Sequence, residues 1–236
     1  MKQMITIFRR ELRAYFDSPL AYIVIVAFLL VTGWFFATNV FVVAQADMRI
    51  AFGVIPFIFL FFTPALTMRL VAEERKSGTL ELLTTLPISD ASIILGKYLA
   101  ALVLLSAAVI PTILYAIVLG ILGDVDTGAT IAGYIGLILL GGSYLAIGTF
   151  GSSLTDNQVI AFIISFFLIF LFFLLDKILF LLPNWIVTPV EFLAVEKHFQ
   201  NISRGVIDSR DIVYFLSLMG LFLFLATRSL VARRLG

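Results

Sequence analysis

Long apolar stretches, nearly free of charge, divide this chain. They cover 20–44, 50–68, 93–122, 127–152, 157–175 and 212–232. Each is long enough to cross a bilayer, since roughly 20 apolar residues in a helix cover about 30 Å of hydrocarbon. The pattern predicts an all-α, polytopic membrane protein with six transmembrane helices in a single domain, 1–236. The sixth stretch is the weakest, because only 212–227 is free of charge and Arg228 must snorkel to the interface. Residues 18–46 carry no charge at all, too long a run for a signal-peptide core, and read as a retained spanning helix.

Residues 1–17 have another character. Met4, Phe8, Leu12, Tyr15 and Phe16 fall on one helical face, with Arg9, Arg10, Arg13 and Asp17 mostly on the other. That is the pattern of an interfacial helix, serving either as a topology anchor or also as a contact for a cytoplasmic partner. Ser18 and Pro19 suit the cap and first position of a new helix, so the chain is expected to turn there and enter the membrane. Lys2, Arg9, Arg10, Arg13, Arg69, Arg75, Lys76, Lys97, Arg228, Arg233 and Arg234 gather on one side of the predicted topology. Only Arg49, Lys177, Lys197, Arg204 and Arg210 lie on the other, which places both termini in the cytoplasm.

Composition narrows the chemistry. The chain is 61% hydrophobic and 13% charged, with a mean hydropathy of +1.12, so its solvent is lipid. A net charge of +1 supplies no basic face for nucleic acid. With no cysteine and one histidine, His198, there is no thiolate or histidine-cluster metal site to build. Leu95-Gly96-Lys97-Tyr98 looks like a scrap of a phosphate loop, but position 91 is alanine and Tyr98 stands where a serine or threonine would hold magnesium. His198 has no local nucleophile pattern and reads as an interfacial or packing residue. No ionisable side chain is expected at mid-membrane; Asp176 and Lys177 come closest, at the end of the fifth span. That argues against an ion-coupled carrier, as does the lack of a three-plus-three repeat.

Two connections are long. In the first, a charged hinge around Glu73, Glu74 and Arg75 is followed by a short predicted helix over 78–86, with Gly78 at its start, Glu81 near its positive end and Pro87 stopping it. Leu80, Leu83 and Leu86 or Leu82 give it an apolar face outside the hydrocarbon. Spacing alone fits a partner's groove and the membrane surface equally. In the second, Pro183, Trp185 and Pro189 break the chain, and 190–199 is expected to form a short helix before a turn at Gly205. The fourth span carries Gly141, Gly148, Ser152 and Thr155 as a small-residue seam for helix packing within the subunit. Spans two and five are rich in phenylalanine, facing lipid or an apolar cavity.

The segment Glu73-Glu74-Arg75-Lys76-Ser77-Gly78-Thr79-Leu80-Glu81-Leu82-Leu83 resembles the signature loop between spans two and three of the type-2 ABC permeases. Similar matches are Phe8-Arg9-Arg10-Glu11-Leu12 through Ser18-Pro19, Ser152-Ser153-Leu154-Thr155-Asp156-Asn157-Gln158, Lys197-His198-Phe199, and Gly205 through Asp211 with Tyr214-Phe215-Leu216-Ser217. Within the family the chain is most similar to the permeases of the gliding-motility transporter and of nitrous-oxide reductase maturation.

The resemblance implies a permease subunit of an exporter in the bacterial cytoplasmic (inner) membrane. It would be non-enzymatic and without a cofactor of its own, with ATP and magnesium on a separate cytoplasmic ABC ATPase, two copies of which would serve a pair of permeases. The second permease would be another copy or a related chain. ATPase coupling would fall to Glu73, Glu74, Arg75, Gly78, Thr79, Glu81, Leu82 and Leu83, with Thr155, Asp156 and Asn157 as a second contact. The interfacial helix would contribute Phe8, Arg9, Arg10, Glu11 and Arg13, with ion pairs from the arginines to Glu73 and Glu74. An outer helical loop dipping back toward the membrane would form a gate with His198, Phe199, Gly205, Asp208, Arg210 and Asp211, the last three exchanging partners as it moves. Phe57, Phe61, Phe166 and Phe170 would line the passage between two permeases. The rival reading is a non-transporting scaffold that couples the ATPase to a gliding or cell-envelope assembly.

Overall fold

The computed structural model describes residues 2–42, 48–79, 88–123, 125–179 and 183–234. Every regular element among them is helical. The chain opens with α1 (Lys2–Asp17), bends at Ser18, and continues as α2 (Pro19–Ala37), which ends in a π-helical turn, Thr38–Val42. Next come α3 (Met48–Thr67), the short α4 (Ala72–Lys76), α5 (Asp90–Val109) and α6 (Ile113–Leu122), the last two joined through one 3-10 turn. Then follow α7 (Thr127–Ser153), α8 (Gln158–Ile178), α9 (Asn184–Leu193), α10 (Val195–Ser203) and α11 (Ser209–Arg234).

Six segments are long and apolar enough to cross a membrane: Ala21–Phe41, Met48–Lys76, Asp90–Leu122, Thr127–Ser153, Gln158–Ile178 and Ser209–Ala232. The sixth differs from expectation at its start. It begins in a charged stretch because Asp208 accepts a hydrogen bond from the Arg210 backbone N–H at 2.9 Å, and Asp211 is hydrogen-bonded to a buried partner. Arg228 lies over the Phe224 ring at 5.2 Å, keeping its stem on apolar surface.

The centre of the bundle is α7. Of its span, 72% is buried within the molecule, against 11% for α2. Glycine makes this possible, since a helix without side chains at its contacts lets neighbours approach closely. A Cβ at Gly148 would collide with Thr67 of α3, one at Gly151 with Ser165 of α8, and one at Gly133 with Phe52 of α3. Gly136 faces Phe199 and Ile202 of α10. Of the predicted seam, Gly141, Gly148 and Ser152 are part of a larger set that wraps the helix, while Thr155 falls beyond its end at Ser153. The two ends of α7 mark the two faces of the protein: Ser152 meets α4, and Ala129 meets Gly205 after α10.

Two expectations need correction. The outer helix over 190–199 is interrupted, because Ala194 is extended (ψ 102°) and separates α9 from α10. Pro189 does not break the chain but sits inside α9. The charged hinge at 73–76 is itself a helical turn, α4, with Glu73 and Glu74 in its first turn and Arg75 and Lys76 in its last, the order that complements the peptide dipoles. Gly78, at φ 71°, follows as the left-handed residue that closes this turn. Of the helix expected over 78–86, residues 80–86, with Glu81, Leu82 and Leu83, lie outside the described residues.

Candidate functional site

At the α4 end of the bundle, three elements converge on one buried cation. Lys97, in the second turn of α5, has only 1% of its side chain exposed. Its Nζ lies 3.1 Å from Glu11 Oε1 of α1 and 3.0 Å from Glu74 Oε1 of α4. Arg10 Nη2 donates to the same Glu74 oxygen at 2.8 Å and approaches Glu11 at 3.7 Å. Two cations and two carboxylates therefore balance one another, with Lys97 buried, Glu11 and Glu74 largely so, and Arg10 at the solvent side, where its bond is the weakest held. Tyr15 donates to the Leu66 carbonyl at the end of α3 at 3.1 Å, and burial pushes its hydroxyl above the ordinary range, keeping it a donor.

The turn before α4 is held by a different device. Val71 supplies no side-chain cap to α4. Ser152 of α7 does so instead: its Oγ accepts from the Val71 and Ala72 N–H groups at 3.1 and 3.2 Å and donates to the Met68 carbonyl at 3.1 Å. One hydroxyl satisfies three backbone groups that the break between α3 and α4 leaves without helical partners. α4 is thus joined to α7 through Ser152 and to α5 and α1 through the ion cluster.

Of the residues expected here, Glu74, Arg10 and Glu11 come together. Glu73 pairs only with Arg69, at 4.0 Å on its own segment. Arg9, Arg13 and Arg75 make no ion pair among the described residues, contrary to the expected bridges from Arg9 and Arg13. Arg9 and Arg13 are exposed, and Arg75 is half-buried. Gly78 and Thr79 are exposed; Thr79 Oγ1 donates to the Glu74 carbonyl at 3.2 Å. In the second predicted contact, Asn157 caps α8 by accepting from Val159 and Ile160 N–H groups, Thr155 Oγ1 accepts from Asn157 N–H, and Asp156 is exposed.

Sequence reasoning missed Lys97 as a member of this cluster, having met it as one of the topology-setting charges and as part of a failed phosphate loop. The available signal was a single lysine two turns into an otherwise uncharged spanning run, where burial demands partners.

The opposite end carries a second buried polar group. His198 of α10 meets Asp211 Oδ1 of α11 through Nδ1 at 2.6 Å and the Phe192 carbonyl through Nε2 at 2.9 Å. A carbonyl only accepts, so Nε2 carries a hydrogen, and the Nδ1–Asp211 contact requires one proton more. The ring stacks on Tyr214 at 4.0 Å, and Tyr214 donates to the Leu193 carbonyl at 2.8 Å, so α9, α10 and α11 are clasped together. This corrects the expected exchange among Asp208, Arg210 and Asp211: the partner of Asp211 is His198, and Arg210 joins no ion pair among the described residues. Phe199 packs on Gly136, and Gly205, at φ 91°, turns the chain against Ala129.

Beside the clasp, Glu196 is buried with Oε2 unpartnered. Burial raises its carboxyl above the ordinary range, Asp176 adds to the rise, and Lys177 and a hydrogen bond with Gln200 oppose it. Its electrostatic neighbour is Tyr144, whose buried hydroxyl also lacks a partner among the described residues. Ionisable chemistry thus reaches the level of mid-α7 from α10, not from a span, which the search along the spans had no way to register. Asp176 and Lys177 pair with each other at 3.1 Å, as expected.

The four phenylalanines proposed for a passage form one continuous aromatic strip. Phe57 and Phe61 of α3 lie 5.8 Å apart, Phe61 meets Phe166 of α8 at 5.2 Å, and Phe166 stacks on Phe170 at 5.8 Å. Phe57 and Phe61 are about half exposed, so the strip faces outward from this chain.

Residues 41–228 match the family model described as ABC-2 family transporter protein. A comparison with curated proteins gives no match.

Proposed function

The chain belongs to the ABC-2 transporter family as a non-catalytic, multi-pass membrane component, and from that premise we propose that it is the moving half of an exporter driven by a separate cytoplasmic ATPase. The observation that carries this reading is the Arg10–Glu11–Glu74–Lys97 cluster. It fastens α4, the element leading directly into 78–86, to α1 and to the buried start of α5. In this reading 78–86 is the helix seated in a cleft of the ATPase, with Thr155, Asp156 and Asn157 beside it. ATP binding draws two ATPase copies together, α4 is displaced, and the ion cluster together with Ser152 passes the displacement to α5 and α7. The α4 end of the bundle, with both termini, faces the cytoplasm of a bacterial inner membrane.

A second permease, another copy or a related chain, covers the outward aromatic strip of α3 and α8, and the passage opens between the two. At the outer end, α9 and α10 form the re-entrant gate, held by the His198–Asp211 clasp. Substrates are apolar or amphiphilic, matching the lining of Phe57, Phe61, Phe166 and Phe170. The resemblance to gliding-motility and nitrous-oxide-reductase-maturation permeases supports an envelope-directed task. The test is reconstitution of the complex with Glu81→Arg. The chain should insert normally while transport-linked stimulation of the ATPase is abolished; unchanged stimulation would remove the coupling assignment.

A further inference from the structure

On α1, residues Phe8, Leu12 and Phe16 form a row at i, i+4 spacing, and all three remain partly exposed. Arg9 and Arg13 form the adjacent row, about 100° around the helix, and both are exposed. Neither has a carboxylate within ion-pair distance among the described residues, whereas Arg10, one residue away, is committed to Glu74. The two faces have different owners. Ile7, on another side of α1, packs on Ile93, and Gly96 meets Ile7 and Met4 at the start of α5. Tyr15 reaches Leu66 at the end of α3, and Pro19 begins α2 directly after. α1 therefore touches the ends of two spans and feeds a third, which requires it to run across the end of the bundle at the level where hydrocarbon gives way to headgroups.

In that position the half-exposed row Phe8–Leu12–Phe16 has hydrocarbon to enter, and the neighbouring arginines stand at phosphate level. Arg9, Arg10, Arg13, Ala14 and Asp17 line an open groove of about 460 Å³. Arg10 is committed to Glu74, which leaves Arg9 and Arg13 beside the groove's one lining carboxylate, Asp17. Arginine presents paired N–H donors that match phosphate oxygens, and an unpaired guanidinium beside an apolar row is suited to a phosphate with acyl chains attached.

We propose that this groove binds the phosphate of an anionic phospholipid, with Arg9 and Arg13 as its ligands and Phe8, Leu12 and Phe16 against its acyl chains. Because Arg10 borders the same groove and bonds to Glu74, the bound lipid sits one side chain away from the ion cluster that fastens α4. The proposal rests on the membrane reading of the six helices and not on coupling to an ATPase.

The experiment uses the full chain alone, extracted in a mild detergent, with phosphatidylglycerol as the probe and phosphatidylcholine as the neutral comparison. Retained lipid is counted by native mass spectrometry during titration. Wild type should retain phosphatidylglycerol in preference to phosphatidylcholine, and Arg9→Gln combined with Arg13→Gln should weaken that retention about tenfold, leaving phosphatidylcholine unchanged. Arg9→Lys with Arg13→Lys should restore most of it. Inorganic phosphate, which lacks the acyl chains, should not displace the lipid. The proposal falls if the glutamine variant keeps wild-type retention, or if inorganic phosphate displaces the lipid at equal concentration. It falls equally if the variant loses only ATPase binding in the assembled complex, which would make this face a protein contact. Both arginines are exposed, so circular dichroism and elution volume should match wild type. None of these outcomes bears on whether 78–86 seats in an ATPase.

Discussion

Lys97 Nζ lies 3.0 Å from Glu74 Oε1, joining the buried start of one spanning helix to the charged turn that follows another. The same ammonium lies 3.1 Å from Glu11, so a single side chain ties α1, α4 and α5. An exposed version of this pair would contribute little. Here the lysine is out of water, and losing it leaves two carboxylates near one another without their shared counter-charge.

Replacing Lys97 with methionine should therefore destabilise the chain by about 3–5 kcal/mol, or separate α1 from α4 if the bundle survives. Glu74→Gln removes one carboxylate as well and should restore part of the loss in the double variant. Thermal unfolding in detergent measures both. In the assembled complex, Lys97→Met should lower ATPase stimulation by transport substrate more than it lowers basal hydrolysis.

Ser152 serves three backbone groups with one hydroxyl. Ser152→Ala leaves the Val71 and Ala72 N–H groups without their acceptor and should cost about 1–3 kcal/mol. Hydrogen exchange should locate the loss at 68–72, with α8 and α11 unaffected. Ser152→Thr keeps the hydroxyl but adds a methyl in a fully buried position, so a partial rescue separates the hydrogen bonds from the packing.

The His198–Asp211 clasp depends on a ring that bonds at both nitrogens. His198→Gln has no planar ring to stack on Tyr214 and cannot reach Asp211 and the Phe192 carbonyl in the same geometry. It should loosen α9 and α10 from α11, visible as faster proteolysis after residue 193. The remainder of the bundle should keep its helical signal.

Glu196 predicts a pH dependence. Its folded-state carboxyl is raised by burial, so below the unfolded value, about 4.3 for glutamate, both states are protonated and nothing is lost. As pH rises toward the folded value, the unfolded chain gives up its proton first and stability declines. Glu196→Gln should therefore match wild type near pH 4 and melt a few degrees higher at pH 8. Equal melting temperatures at pH 8 would contradict a carboxyl raised by burial.

How much of this was legible in the sequence follows from the range of the forces involved. The spans follow from local hydropathy, and Ser18–Pro19 and Asn157 announce helix starts through local capping, so these are readable residue by residue. The ion cluster is not local. Glu11, Glu74 and Lys97 lie on three different elements, and only the packing of α1 across the ends of α3 and α5 brings them together. The error at 190–199 came from treating Pro189 as the breaker when extended Ala194 performs that role. His198 read as a packing residue, which its ring stacking supports, but its hydrogen bond with Asp211 depends on α10 lying beside α11. Glu196 escaped notice because the polar group at mid-bundle arrives from a connection and not from a span.

The most direct test of the central claim is the composition of the complex extracted from native membranes in mild detergent. The account predicts an ABC ATPase in one-to-one ratio with this chain, retained through washing and released by Glu81→Arg. Recovery of the intact chain from those membranes with no ATPase attached would contradict it.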